Sequence, residues 1–415
     1  MVLNIVWLGF FISAFVAALV QTLQGDFEVF PRVMTALFEA AQTGFEVSLA
    51  LTGMMALWLG FMRVGERAGV MDGFARAVNP IMRHLFPGVP AGHPAQGAMT
   101  MNISANLLGL DNAATPLGLK AMQELQSLND RPDTATNAQI MFMVVNTAGI
   151  TLIPSSVIAI RQTLAYKQGL TGFNAADIFL PTLLATGITL VVAIVAVAWV
   201  QRIPLLRRGL LLPLAGFAAI AGLLSWWLGG LPADEAARWM GLIGALAILA
   251  IVLLFLVAGA LRRVNVYDAF VDGAKGGFDV AVMIIPYLIA MLAAIAVFRA
   301  AGLMEWLMHG IALAVAALGL PTDFLPAVPV ALMKVLSGSG ARGVMVDVMQ
   351  AHGVDSFAGQ LAAIIQGSTE TTFYVLAVYF GSVGVKHVRH ALPCALLADL
   401  VGLVVAIAVA YAFFT

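Results

Sequence analysis

The chain has 415 residues, 61% hydrophobic and 10% charged, with a mean hydropathy of +0.97. A soluble domain carries about 25% charged residues, so the composition defines an all-α polytopic protein embedded in a lipid bilayer. The net charge of -1 leaves no basic surface for nucleic acid, and the single cysteine, Cys394, excludes an intrachain disulfide and a cysteine-cluster metal site.

In chain order, the first charge-free run is Val2 to Val20. It lacks a positive leader beyond the α-amino group and a clear small-residue cleavage site, so it reads as a retained helix. Later runs without charge are Ile178 to Val200, Gly209 to Leu228, Met240 to Leu261 and Val280 to Phe298. Each approaches or exceeds the roughly 20 residues that span a bilayer core.

Between these runs the chain repeats itself. "EAAQTGFEVSLAL" from Glu39 and "DGAKGGFDVAVMI" from Asp272 align at an offset of 233, pairing Gly44 with Gly277, Phe45 with Phe278 and Glu46 with Asp279. The register then shifts by a few residues. "NLLGLDNAATPLGLKAMQ" falls opposite "VLSGSGARGVMVDVMQ", and "NTAGITLIPSSVIAI" falls opposite "QGSTETTFYVLAVYF". Two copies of one unit are expected, about Val29 to Ile160 and Val264 to Gly381.

Lys and Arg placement orients them. Arg202, Arg207 and Arg208 mark a cytoplasmic loop, and two further helices return the chain there at Arg262 and Arg263. Asp26 and Glu28 precede the first unit without Lys or Arg, whereas Arg63, Arg67, Arg76 and Arg83 follow its first span. The first unit therefore enters from outside and the second from inside, an inverted repeat; Arg161, Lys167 and Arg299 run against this rule.

Four stretches concentrate polar groups in apolar surroundings. Ala98 to Leu110 and Ala113 to Leu125 read as the arms of a re-entrant helical hairpin, broken at Asp111-Asn112 with Asn112 as N-cap. Its polar residues are Asn102, Ser104, Asn106, Asp111, Asn112 and Thr115. "MKVLSGSGARG", Met333 to Gly343, is the counterpart in the second unit, with Ser337 to Gly340, which includes Ser339, as the break and Lys334 and Arg342 beside it. Lipid forbids an open backbone turn unless protein or a water-filled cavity satisfies it.

The third and fourth stretches lie within spans. Gly149 and Pro154 should unwind "VVNTAGITLIPSS", which carries Asn146, Thr147 and Thr151. Gly367 and a run of hydroxyls should unwind "IQGSTETTFY", which carries Gln366, Ser368, Thr369, Glu370, Thr371 and Thr372. Transporters place substrate and ion ligands on such unwound segments. Glu370, and Asp399 in the final span, are ionisable groups within the membrane and are functional candidates for that reason. Each single hydroxyl has a plainer role, bonding its own helix or a neighbour. Lys334 and Arg342 could equally be snorkelling residues at hairpin ends.

These motifs carry a resemblance. The first half, through "NISANLLGLDNAATPLGLKAMQELQ" and "NTAGITLIPSSVIAIR", is similar to the spore maturation protein A family. The second, through "VYDAFVDGAKGGFDVAVMIIPYLIAML", "SGSGARG" and "QGSTETTFYVLAVYFGSVG", is similar to the spore maturation protein B family. Residues 1–203 and 204–415 then form the two halves of a natural fusion. Both families belong to the nucleoside recognition, or gate, group, which includes gate regions of nucleoside and ferrous iron transporters. The resemblance implies a multi-pass protein of a bacterial inner membrane with a transporter-like core.

The expected function is secondary transport of a small polar or zwitterionic solute, a nucleoside, amino acid or related metabolite. Glu370 or Asp399 would couple it to H+ or Na+, Arg342 and Lys334 would hold a substrate carboxylate, and the unit would work as a homodimer. A passive channel and a non-transporting envelope protein needed for spore-maturation-type processes are the competing classes. With no nucleophile–base pair, metal motif or catalytic carboxylate pair in the sequence, neither an enzyme nor a bound metal or cofactor is expected.

Overall fold

A computed structural model describes residues 2–107, 111–149, 151, 154–205, 208–231, 233–317 and 319–415, with a few helix side chains, including those of Asp111 and Asn112, outside the description. Its α-helices run in the order α1 (Val2–Leu23), α2 (Val29–Arg67), α3 (Val70–Leu85), α4 (Pro94–Leu107), α5 (Asp111–Gln126), α6 (Asn137–Thr147), α7 (Ser155–Lys167), α8 (Phe179–Gln201), α9 (Arg208–Gly229), α10 (Ala233–Leu261), α11 (Val266–Ala300), α12 (Leu303–Ala317), α13 (Val328–Leu336), α14 (Gly338–His352), α15 (Phe357–Ser368), α16 (Thr372–Ser382) and α17 (Ala391–Phe414). Among the described residues there is no β-strand beyond one isolated bridge, Thr134 to His387.

Six helical stretches among these residues are long and apolar enough to cross a membrane: Val29–Arg67, Ala175–Gln201, Arg238–Leu261, Val266–Ala300, Phe357–Ser382 and Ala391–Phe414. The fifth comprises α15 and α16, two halves of one crossing. α1 and α9 contribute shorter apolar stretches, Trp7–Leu23 and Ala215–Leu228.

The order long helix, shorter helix, two hairpin arms, two half-helices occurs twice, as α2 to α7 and as α11 to α16. Local sequence sets these boundaries. A capping box of Thr136 and Gln139 opens α6, and Ser356 caps α15 by accepting from Gly359 N.

The two long helices pack antiparallel, and their contacts are reciprocal. A Cβ on Gly44 would lie 2.8 Å from Ile289 Cγ1, and one on Gly277 would lie 2.8 Å from Ala56 Cβ and closer still to its backbone. Gly44 and Gly277 are 233 residues apart, as are Ala56 and Ile289. Each helix therefore offers the same glycine to the same position of its twin. At the far end Arg63 and Arg67 both reach Asp272, at 3.2 and 2.7 Å.

A second antiparallel pair follows the units. Gln201 at the end of α8 meets His390 at the start of α17, and a Cβ on Gly402 would lie 3.2 Å from Thr189 Oγ1. "LVVAI" occurs in both helices, at 190–194 and 403–407. At that offset of 213, Thr189 corresponds to Gly402 and Thr186 to Asp399. The duplication thus extends one helix further than the expected repeat boundaries.

Candidate functional site

The second hairpin turns on a single residue. α13 ends at Leu336 and α14 begins at Gly338, leaving Ser337 extended at φ -156, ψ 118. The expected four-residue break is corrected: Gly338 to Gly340 form the first turn of α14. The reason is capping, because Ser337 Oγ accepts from Gly340 N at 3.0 Å and so satisfies a donor of that turn. Ser339 Oγ lies 3.2 Å from Ser337 Oγ. A side chain on Gly338 would meet Thr371 Oγ1 at 2.7 Å, so glycine is needed for the tip to reach the fourth polar stretch.

The first hairpin also differs from expectation. Asp111 and Asn112 are the opening residues of α5 and do not separate the arms, and Asn112, already inside the helix, is not its N-cap. Their side chains, and residues 108–110, lie outside the described residues. The arms are pinned by buried Asn102, whose Nδ2 donates to Ala114 O at 2.8 Å across the hairpin and to Tyr379 Oη at 3.3 Å. Asn106 Nδ2 donates to Asn146 Oδ1 at 2.8 Å, which also accepts from Tyr379 Oη at 3.3 Å. Tyr379, from the second unit, stacks on Phe142 with centroids 5.8 Å apart.

Both expected half-helix pairs are present. α6 ends at Thr147 and α7 starts at Ser155; α15 ends at Ser368 and α16 starts at Thr372. The two breaks meet, with Glu370 N donating to Thr147 O at 2.7 Å. That bond gives a partner to one backbone group each break leaves outside its helix.

Beside this junction lies a cavity of about 80 Å³, lined from both units. The first contributes Thr151, Pro154, Ser155, Ser156 and Val157. The second contributes Lys334, Gly338, Arg342, Gln366, Gly367, Thr369 and Glu370. Two cations and one carboxylate line it, and the N-termini of α7 and α14 open onto it, adding positive potential. Gln366 and Gly367 bring the C-terminal end of α15, of opposite sign.

Native proteins bond nearly all buried polar groups. Among the described residues nine buried side-chain atoms have no partner in the protein, and two of them, Arg342 Nε and Gln366 Oε1, belong to residues that line this cavity. Arg342 thus keeps an unused donor and Gln366 an unused acceptor beside one cavity, and an unmet buried group costs about 1–3 kcal/mol.

Of the expected residues, Thr151, Arg342, Gln366, Thr369 and Glu370 line the cavity, with Ser337, Ser339 and Thr371 at its edge by the tip contacts above. Asn102, Asn106 and Asn146 form a separate cluster around Tyr379. Ser104, Thr147 and Ser368 hydroxyls bond their own helices, at Thr100, Met143 and Ile365 carbonyls. Thr115 is half-buried on α5. Thr372 Oγ1 donates to Asp399 Oδ2 at 2.6 Å. Sequence reasoning missed Tyr379, Ser155, Ser156 and Thr186. Tyr379 reads as one more aromatic in an apolar helix, and only its contacts single it out.

Hairpins and half-helices that occur twice, with the second hairpin and both broken helices meeting at a polar cavity, define a multi-pass membrane protein built from a duplicated gate-type unit. The family model for nucleoside recognition, Gate, matches residues 48–164 and 281–386, together more than half of the chain, so the protein belongs to this family. The two matches begin 233 residues apart, the offset of the internal repeat. The chain is 44% identical over 173 residues to spore maturation protein B of Bacillus subtilis strain 168, covering 42% of this chain and 94% of that one. It is 38% identical over 192 residues to spore maturation protein A of the same organism, covering 46% and 92% respectively. One polypeptide here therefore joins counterparts of two separate proteins.

Proposed function

We propose that the chain is a secondary transporter in the inner membrane of a bacterium, moving a small polar or zwitterionic solute by alternating access. The cavity between the two breaks carries this reading. Arg342, Lys334 and the α7 and α14 N-termini suit a carboxylate; Glu370, Gln366 and the C-terminal end of α15 suit an amine or hydroxyl. Nucleosides, amino acids and related metabolites are the classes considered.

At about 80 Å³ the cavity has room for two or three waters, each with a share of about 30 Å³. Ligand pockets are typically about 300–1,000 Å³. The cavity as it stands is therefore too small for the solute, which enters once the α13–α14 hairpin draws away from Thr371. The antiparallel pairs α2/α11 and α8/α17 support an inverted relation between the units and would form the frame against which the hairpins move. Glu370 is proposed to pair a substrate cation or a coupling ion, and the unit to act as a homodimer.

A thermal-stability screen of the purified full-length protein tests the reading. Nucleosides, amino acids, small peptides and organic acids are the panel, because a ligand of the native state raises its melting temperature. A hit abolished by Arg342→Gln supports the site. If no class shifts the melt, or if Arg342→Gln responds like wild type, the site assignment fails. A non-transporting role in spore-maturation-type processes then stands on the names of the relatives alone.

A further inference from the structure

Asp399 is half-buried in α17, with Oδ2 accepting the Thr372 hydroxyl at 2.6 Å and Oδ1 buried without a partner in the protein. Thr372 is the first residue of α16, immediately after the break. Lys334, in the last turn of α13, is buried, lines the cavity and donates to Gln366 O at 2.8 Å. α13 packs against both α16, which carries Thr372, and α17, which carries Asp399. Lys334 is thus a buried cation on the helix that joins the cavity to these two elements.

The duplication shows what is unusual about Asp399. Its counterpart on α8 is Thr186, whose Oγ1 donates to Gly149 O at 2.8 Å in the first break. Each scaffold helix is tied to the break of its own unit, once by a neutral hydroxyl and once by an acid. A tether needs only the hydroxyl; the acid adds a group that can carry a proton.

The surroundings of Asp399 are otherwise neutral. α6, α8 and α15 carry no ionisable residue, and α16 carries only Tyr374 and Tyr379. α9 and α10 bear Arg208, Asp234, Glu235 and Arg238 at their N-terminal ends, Glu370 lies in the break, and His390 and Cys394 stand more than a turn away along the chain.

We propose that Asp399 is a proton-binding site linked through Lys334 to the cavity, so that a solute carboxylate and one proton bind together. This rests on the cavity being the solute site. In the empty state Lys334 balances the Asp399 carboxylate. A solute carboxylate drawn to Lys334 and Arg342 takes that counter-charge. Asp399 is then an unmatched anion in a low-dielectric setting and neutralises by taking a proton from the water on the side the cavity faces. One negative charge and one proton enter, and Lys334 stays an ammonium throughout. Sodium is disfavoured: the half-helix carbonyl of Gln366 that could ligate it already accepts from the Lys334 ammonium.

Infrared pH-difference spectroscopy of the full-length protein in lipid vesicles tests this. Wild type should show a protonated-carboxyl C=O band at acid pH that Asp399→Asn removes and Asp399→Glu retains at a shifted frequency. Lys334→Gln should keep the band down to an about tenfold or more lower proton concentration than wild type, since the stabilising cation is gone, whereas Lys334→Arg should follow wild type. Exchanging sodium for choline should change nothing. A band unaffected by Asp399→Asn, a Lys334→Gln titration matching wild type, or loss of the band on adding sodium alone would overturn the proposal. No readout requires solute movement. Titration without transport removes the transporter reading and leaves the proton site, and transport without titration does the reverse.

Discussion

The seam between α2 and α11 sets a quantitative test, because two glycines of similar helical context face opposite situations. Gly277 sits against the Ala56 backbone, whereas Gly53, on α2, has nothing within 4 Å of an added Cβ. Replacing either by alanine gains up to about 1 kcal/mol of helix propensity. At Gly53 that gain stands alone, so Gly53→Ala should stabilise. At Gly277 the new methyl overlaps backbone atoms that cannot rotate away, and overpacking costs about 1–3 kcal/mol or more. The upper end applies, so Gly277→Ala should lose about 2 kcal/mol net, and the two variants should differ by about 3 kcal/mol. Gly44→Ala should fall between them, because its nearest neighbour is the Ile289 Cγ1 atom, although Ile289 Cα lies at 3.1 Å. Thermal unfolding of the purified protein in detergent reads the order. Gly277→Ala melting at or above Gly53→Ala would refute the antiparallel seam.

Other outcomes follow from named contacts. A Cβ on Gly118 would overlap Tyr379, so Gly118→Ala should cost about 1–3 kcal/mol and couple strongly to Tyr379→Ala in a double-mutant cycle, whereas additive effects would place Tyr379 elsewhere. Arg161 is fully buried, paired with Asp177, bonded to Ala175 O at 3.0 Å and set over the Phe173 ring at 5.0 Å. Asp177→Ala should therefore lower stability by about 3 kcal/mol, the cost of stranding one partner of a buried pair, and an unchanged melt would contradict that pairing. Burial, and secondarily the Arg389 charge, hold the His390 imidazole below its usual pKa of 6.5. The folded state then binds fewer protons than the unfolded chain, so this residue's contribution is intact above about 6.5 and lost as pH falls through that range. His390→Gln should flatten the acid side of the stability profile slightly, by less than about 1 kcal/mol given its solvent exposure; an unaltered profile would remove His390 from that role.

The membrane class and the helix–break–helix pattern were legible because they are local. Glycines, hydroxyls and an isolated glutamate in apolar runs break helices wherever the chain goes next. Break positions were less legible. Whether Ser337 caps a helix starting at Gly338 depends on one side-chain hydrogen bond, and "SGSG" alone is equally compatible with a longer turn. Partners across the fold were not legible. Asn102 reads as a tip residue, yet it pins two arms and a tyrosine 277 positions away. The correspondence of Thr186 with Asp399 was hidden because the offset drifts from 233 to 213 along the chain, so a search at one register stops before α8.

Alternating access at the cavity between the two breaks, as proposed, would move a solute against its gradient. Uptake into proteoliposomes, with and without an imposed proton or sodium gradient, tests it most directly when wild type, Arg342→Gln and Glu370→Gln are compared. Wild type should accumulate solute against its gradient, driven by the proton gradient, and both variants should lose this. Flux that never exceeds equilibration, and is the same in all three proteins, would contradict it.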